Sequence, residues 1–234
     1  MQTSLFAAAA LTALVAVPSL AFAGERVRPM DGAAASHDEF RAQVLGVLER
    51  HPSTIAQNTL AAVLDGKVVF ETLDRLSVAD CRQLVQENPA QWSGVVSADE
   101  CVANDDGIAA KVPARILQRV SGYQHENRIY VRADSKVKDA AATLVHETNH
   151  VANATHERYT TAREKLEEEY RAYWVALLFT DGRAPGAGYL LWLKGWIIEQ
   201  YALAGVSPAE LGDVPAGNLD NRFPSGPAVA MNAP

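Results

Sequence analysis

Cysteine, methionine and surplus positive charge are all scarce in this chain. Two cysteines and three methionines occur in 234 residues, and 21 lysines and arginines stand against 28 aspartates and glutamates, for a formal net charge of −7. Without a basic excess there is no electrostatic footprint for nucleic acid or for an anionic membrane surface. Cys81 and Cys101 lack partners at C-x-x-C spacing, which excludes a thiolate zinc cage. An isolated pair of this kind is the pattern of one disulfide in an oxidising compartment. No apolar run reaches the roughly 20 residues that span a bilayer, which excludes stable membrane insertion.

One shorter apolar run is present. Leu5 to Val17 is almost unbroken, Pro18 follows, and Ala21-Phe22-Ala23 is the small-x-small pattern read by signal peptidase. Residues 1–23 are therefore expected to be a cleaved signal, with Gly24 as the new N-terminus and a secreted or periplasmic destination. The n-region carries no Lys or Arg, so the signal is an atypical one. No Cys follows the run to carry a lipid.

The remainder is about 210 residues, enough for one domain of ordinary size. Residues 24–35 read as a loose lead-in. Residues 36–111 read as a helical part, opened by the capping box Ser36-His37-Asp38-Glu39 and continued by a second helix after Pro52-Ser53. Lys67 to Phe70 suggests a short strand. Ser77 with Asp80 and Ser97 with Glu100 repeat the cap signal, placing both cysteines in short helices stapled together. From residue 112 the pattern changes. Ala114–Val120 and Arg128–Val131 lean to strand and suggest a hairpin around residues 121–127. Asp134 or Ser135 then opens a helix through Val137, Ala141, Leu144, Val145 and Thr148. Two further helices are expected, at about 161–179 and 189–203, with an irregular tail from 208 to 234.

The chemistry concentrates in "LVHETNHVANATHERY", residues 144–159. His146 and His150 are four residues apart, so both imidazoles lie on one helix face and can bind the same zinc ion. Glu147 projects beside them, where a carboxylate can take a proton from water and pass it to a leaving amine. A preceding strand and the flanking Leu144, Val145 and Val151 supply the context that an H-E-x-x-H motif requires.

With His146, Glu147 and His150 at the motif positions, residues 112–180 resemble the zincin metallopeptidases. The resemblance implies an α+β fold, with a small antiparallel sheet over the H-E-x-x-H helix and a glutamate helix after it. Here an N-terminal helical extension precedes that core, at residues 112–207. It further implies a Zn2+ cofactor, a peptide or protein substrate, and hydrolysis with Glu147 as general base. The third ligand divides the family. His156 and Asn153 fit the metzincin pattern H-E-x-x-H-x-x-G-x-x-H, with Asn in place of Gly, but the only downstream methionine is Met231, far from any Met-turn position. The gluzincin branch takes a glutamate from the next helix, where Glu164, Glu167, Glu168 and Glu169 compete. Leu166, Tyr170, Tyr173 and Leu177 form one inward stripe at 100° per residue. Glu169 lies at its edge, Glu164 and Glu168 point nearly opposite, and Glu167 is the reserve. The segment Glu169-Tyr170-Arg171-Ala172-Tyr173 resembles the gluzincin E-x-x-A-D, with Tyr173 at the Asp position. His146, His150 and Glu169 are thus the expected ligands, with His156 as the metzincin-like alternative and a non-catalytic zinc-binding protein as the alternative from another class. Tyr159, Tyr173, Tyr189, Tyr201 and His125 compete as oxyanion donors. The last helix, with Leu190, Trp192, Leu193, Trp196 and Ile197, suits core packing or the lining of a substrate groove.

Overall fold

The computed structural model describes residues 36–87, 94–105, 107, 109–153 and 161–223. The expected signal at 1–23, the lead-in, His156 and Tyr159 lie outside them.

Seven α-helices and two small sheets occur among the described residues. Helix α1 is His37–Arg50, started by the Ser36 hydroxyl accepting from the Glu39 N–H. Its Phe40, Val44 and Leu48 repeat every four residues and are buried. Helix α2 (Thr54–Leu64) is capped in the same way by Ser53. Strand β1 (Val69–Thr72) follows, then a 3-10 turn at Leu73–Arg75 and helix α3 (Val78–Glu87). A minor ribbon pairs β2 (Val102–Ala103) with β3 (Ala110–Lys111). Helix α4 (Ala114–Arg119) leads to β4 (Gly122–His125) and β5 (Arg128–Val131), which form a hairpin around Glu126 and Asn127. Helices α5 (Val137–Asn153), α6 (Ala162–Asp181) and α7 (Ala187–Gln200) complete the order.

Two expectations are corrected here. Residues 114–119 are helix rather than strand, because Pro113 sets the N-cap and Ala, Arg, Leu and Gln outweigh the single β-branched Ile116. The hairpin therefore starts eight residues later than expected. The main sheet is also mixed rather than antiparallel. Its order is β1-β5-β4, with β1 parallel to β5 and β4 antiparallel to it. The α+β class stands.

Both faces of this sheet are covered. Phe70, Ile129 and Val131 join α1, α2, α5 and α6 in the largest apolar cluster. Tyr123 and Tyr130 point the other way, into a second cluster with α3 and the Cys81–Cys101 disulfide. Asp80, beside that bridge, accepts from the Tyr130 hydroxyl at 2.6 Å and the Ser77 hydroxyl at 2.8 Å, and pairs with His125 Nδ1 at 2.6 Å. Burial acts to raise the Asp80 pKa, but these hydrogen bonds outweigh it and hold the carboxyl below its ordinary range. No helix among the described residues is long and apolar enough to cross a membrane.

Two outcomes follow from this half of the molecule. The Cys81–Cys101 bond closes a 20-residue separation, and its removal in a double serine variant is expected to cost about 2–5 kcal/mol, read from urea unfolding midpoints. Asp80 stabilises the fold above the unfolded carboxyl value of about 3.9, and this contribution disappears as pH falls through the lower folded value. Urea midpoints taken down an acid series should therefore decline below about pH 4 in the wild type and decline less steeply in Asp80→Asn.

Candidate metal centre

Helix α5 is held from three sides. Ala140, Ala141, Leu144 and Val145 bury its apolar face against the main cluster. The irregular segment after α7 returns along its length and locks it by hydrogen bonds. Asn221 donates to the Val145 carbonyl at 2.9 Å and to the Thr59 hydroxyl at 3.0 Å, while Asn149 donates to Asn221 Oδ1 at 2.8 Å and to the Asn218 carbonyl at 2.9 Å. Asn221 occupies the left-handed region at φ 56, which Asn accepts better than other non-glycine residues. On the third side lies β4, whose Gly122 sits against the helix. A Cβ at Gly122 would collide with Thr143 Cγ2 and come within 2.8 Å of Glu147 Oε1.

The remaining face of α5 carries the candidate residues. His146, Glu147 and His150 are all buried, with ligand-capable atoms within 4.8 Å of one another, so this cluster could hold a metal ion. Helix α6 adds two buried acids. His146 Nε2 and His150 Nε2 are 3.1 Å apart, and Glu169 Oε2 lies 3.6 Å from the first and 3.7 Å from the second. Three lone-pair atoms at this spacing call for positive charge between them, either a proton or a metal ion. The circumradius of their triangle is about 2.0 Å, and ligands of a tetrahedral ion at 2.0–2.1 Å stand about 3.3 Å apart. The donor set of two imidazoles and a carboxylate fits such an ion.

A further shell fixes these side chains. His150 Nδ1 donates to Glu168 Oε1 at 3.0 Å, which leaves the Nε2 lone pair facing His146 and Glu169. Glu168 is bound in turn by the Arg171 guanidinium, and Arg171 also donates to the Ala216 carbonyl. Glu169 Oε1 pairs with Lys165 at 2.8 Å, and its Oε2 accepts from the Tyr201 hydroxyl at 2.9 Å. For Glu169 the desolvation of burial is outweighed by Lys165 and the two histidines, so its pKa falls well below the usual value. Burial lowers His150 to about 4 and raises Glu147 to about 7. Tyr201 is pushed up, first by burial and then by Glu169, and stays protonated.

The candidates from the sequence separate clearly. Glu169 meets His146 and His150. Glu164 caps its own helix with Thr161, and Glu167 faces a surface cleft with Arg163 and Tyr170. Glu168 is a correction, for it points to His150 and not away. Helix α6 buries a second stripe, Glu168, Ala172, Val175 and Phe179, in addition to the one used to orient it. Glu168 thus places a second buried carboxylate of α6 against the histidine pair. Of the tyrosines, Tyr201 touches Glu169, and the Tyr173 ring lies 4.4 Å from that of His146. Tyr189 is on the surface, and His125 is engaged with Asp80 on the opposite sheet face.

Comparison with protein-family models, with curated proteins and with solved structures finds no match.

The close approach at Gly122 yields a sharp expectation. Gly122→Ala should destabilise the fold by about 1–3 kcal/mol, because the new Cβ would stand 2.3 Å from Thr143 Cγ2 and 2.8 Å from Glu147 Oε1 and force the two elements apart. An unchanged denaturation midpoint would show that β4 is not seated on α5 as described.

Proposed function

We propose that the chain is a zinc-dependent hydrolase of peptide bonds, with His146, His150 and Glu169 holding the metal and Glu147 acting as general base. The observation that carries the reading is the triangle of His146 Nε2, His150 Nε2 and Glu169 Oε2, with edges of 3.1–3.7 Å and the Glu147 carboxylate beside it. Zinc suits this mixed nitrogen and oxygen set, and when bound it supplies Lewis acidity that polarises a carbonyl and acidifies water.

The protein's own groups have separable tasks. Glu168 and Arg171 orient His150, and Lys165 and Tyr201 orient Glu169. Glu147 is not tied by such a bond among the described residues, and its carboxylate is free to take a proton from water and return it to the departing amine. The Tyr201 hydroxyl already donates to Glu169, which leaves the Tyr173 hydroxyl, on the ring packed against His146, as the neutral donor for a developing oxyanion. Strand β4 is the edge of its sheet. In its antiparallel pairing Tyr123 faces Tyr130 and Gly122 faces Val131, and Ser121 O accepts from Arg132 N. By the two-residue alternation, the N–H and C=O groups of Gly122 and Gln124 turn outward. An extended peptide can add to that edge and lie above Glu147. The disulfide accords with a secreted or periplasmic setting.

The 4.8 Å grouping that includes Glu147 favours one other reading, a non-catalytic zinc site in which Glu147 is itself a ligand. One variant separates them. Glu147→Gln should retain zinc and lose turnover of a peptide library by at least about 100-fold. Loss of zinc, read by metal analysis, would make Glu147 a ligand, and unchanged turnover would end the peptidase reading. In a zinc competition titration, Glu169→Ala should lose most of the affinity, and Glu168→Gln about 10- to 100-fold. Wild-type affinity in Glu169→Ala would return the third position to His156.

A further inference from the structure

One side of the site is aromatic. The Tyr173 ring, 4.4 Å from that of His146, lies 5.4 Å from Trp196, and Trp196 stacks on Trp192 at 6.4 Å. Tyr189 continues the row 5.3 Å beyond. Tyr189, Trp192 and Trp196 are spaced i, i+3 and i+7, so they share one face of α7. The row begins against a buried histidine and ends in the open, where Trp192 is 52% exposed and Tyr189 39%.

Three features suit this row to an apolar ligand. Large aromatic groups exposed together mark a binding surface, because a lone domain gains by burying them. Lys194, on the same helix, turns inward to the Leu211 carbonyl and is buried, so it adds no charge between Trp192 and Trp196. Gly188 and Gly195 flank Trp192 on the helix, and packing requires neither. A Cβ at Gly188 would meet nothing within 4 Å, and one at Gly195 would approach only Pro208, at 4.0 Å. Glycine inside a helix costs about 1 kcal/mol relative to alanine. Its effect here is to leave the sides of Trp192 bare.

We infer that this row is the substrate-selecting surface of the centre, and that the preferred substrates are peptides with a large aromatic or aliphatic side chain near the bond to be cut. The inference rests on the peptidase reading and names its substrate class. The steps between rings place Trp192 within about 16 Å of His146, a reach of about five extended residues at 3.3 Å each. A bilayer or a second copy of the chain would account for exposed Trp192 but not for a row that continues through Trp196 and Tyr173 to His146. A peptide lying along the row from Trp192 to His146 accounts for both ends.

The test uses the full-length zinc-loaded protein and paired peptides that differ only by Phe or Ser at one position. The wild type should favour the best Phe peptide by about 10- to 100-fold in kcat/KM, and Trp192→Ala should reduce that ratio at least about tenfold. Trp192→Phe, which keeps a ring on a half-exposed site, should retain most of it. An unchanged ratio in Trp192→Ala overturns the inference. So does saturable binding to phosphatidylcholine vesicles, or a dimer dissolved by Trp192→Ala, if no Phe preference accompanies it. A second readout is independent of turnover. Binding of the Phe peptide to the Glu147→Gln protein, followed by tryptophan fluorescence, should weaken about tenfold when Trp192→Ala is added. If that weakening is seen while the wild type cleaves no peptide, the surface stands and the peptidase reading falls. Cleavage without Phe preference gives the reverse.

Discussion

Two neighbouring glutamates, Glu168 and Glu169, are buried on α6, and the rest of the structure is arranged around that constraint. An unpaired carboxylate in such a place would cost several kcal/mol. Each is therefore bound on both oxygens. Glu168 lies between His150 and Arg171, and Glu169 lies between Lys165 on one oxygen and Tyr201 with the two histidines on the other. Removing any partner leaves charge uncompensated in the interior, so the packing of α5 on α6 is a specific electrostatic fit as well as an apolar one. Helix α7 belongs to the same constraint, because it leads directly to Tyr201. The returning segment belongs to it too, because the Ala216 carbonyl holds the far side of Arg171.

This arrangement restricts motion around the two histidines and Glu147. On one side β4 meets α5 through a residue without a side chain, so the strand edge and Glu147 keep a short, fixed separation. On the other, Asn149, Asn153, Asn218 and Asn221 tie α5 to the segment after α7. A metal site built in this way has its ligands oriented before any ion arrives, which lowers the entropy lost on binding.

The site helix was legible in the sequence because its signals are local. His146 and His150 at i and i+4, with Leu144 and Val145 on the apolar face, specify the helix and the shared direction of the rings. Glu169 was legible from its place at the edge of the Leu166–Tyr170–Tyr173 stripe. Glu168 was not, because a single stripe presumes one buried face. Helix α6 is buried on two faces, its Leu166, Tyr170 and Trp174 packing toward α7 and its Val175 and Phe179 packing into the main cluster. Which faces a central helix buries depends on neighbours far along the chain. The parallel pairing of β1 with β5 was hidden for the same reason, since Val69 and Arg128 are brought together only by the tertiary fold. Residues 114–119 were misread for a local reason, the weight given to Ile116 and Val120 against five good helix formers.

Among the three buried acids around His146 and His150, the partners differ. Glu168 and Glu169 are each fixed by a cation and by a further donor, and such carboxylates gain nothing by exchanging a proton. Glu147 is equally buried, but its surroundings are the Gly122 backbone, Thr143 and the histidines, and no cation is bonded to it among the described residues. A buried carboxylate without a fixed partner is the one whose charged and neutral forms lie closest in free energy. Gly122 gives it room, and the open edge of β4 sets what can reach it. The contrast therefore follows from packing: α6 supplies two carboxylates held by cations, α5 supplies the two imidazoles and a carboxylate with no cation bonded to it among the described residues, and β4 packs against that carboxylate through Gly122.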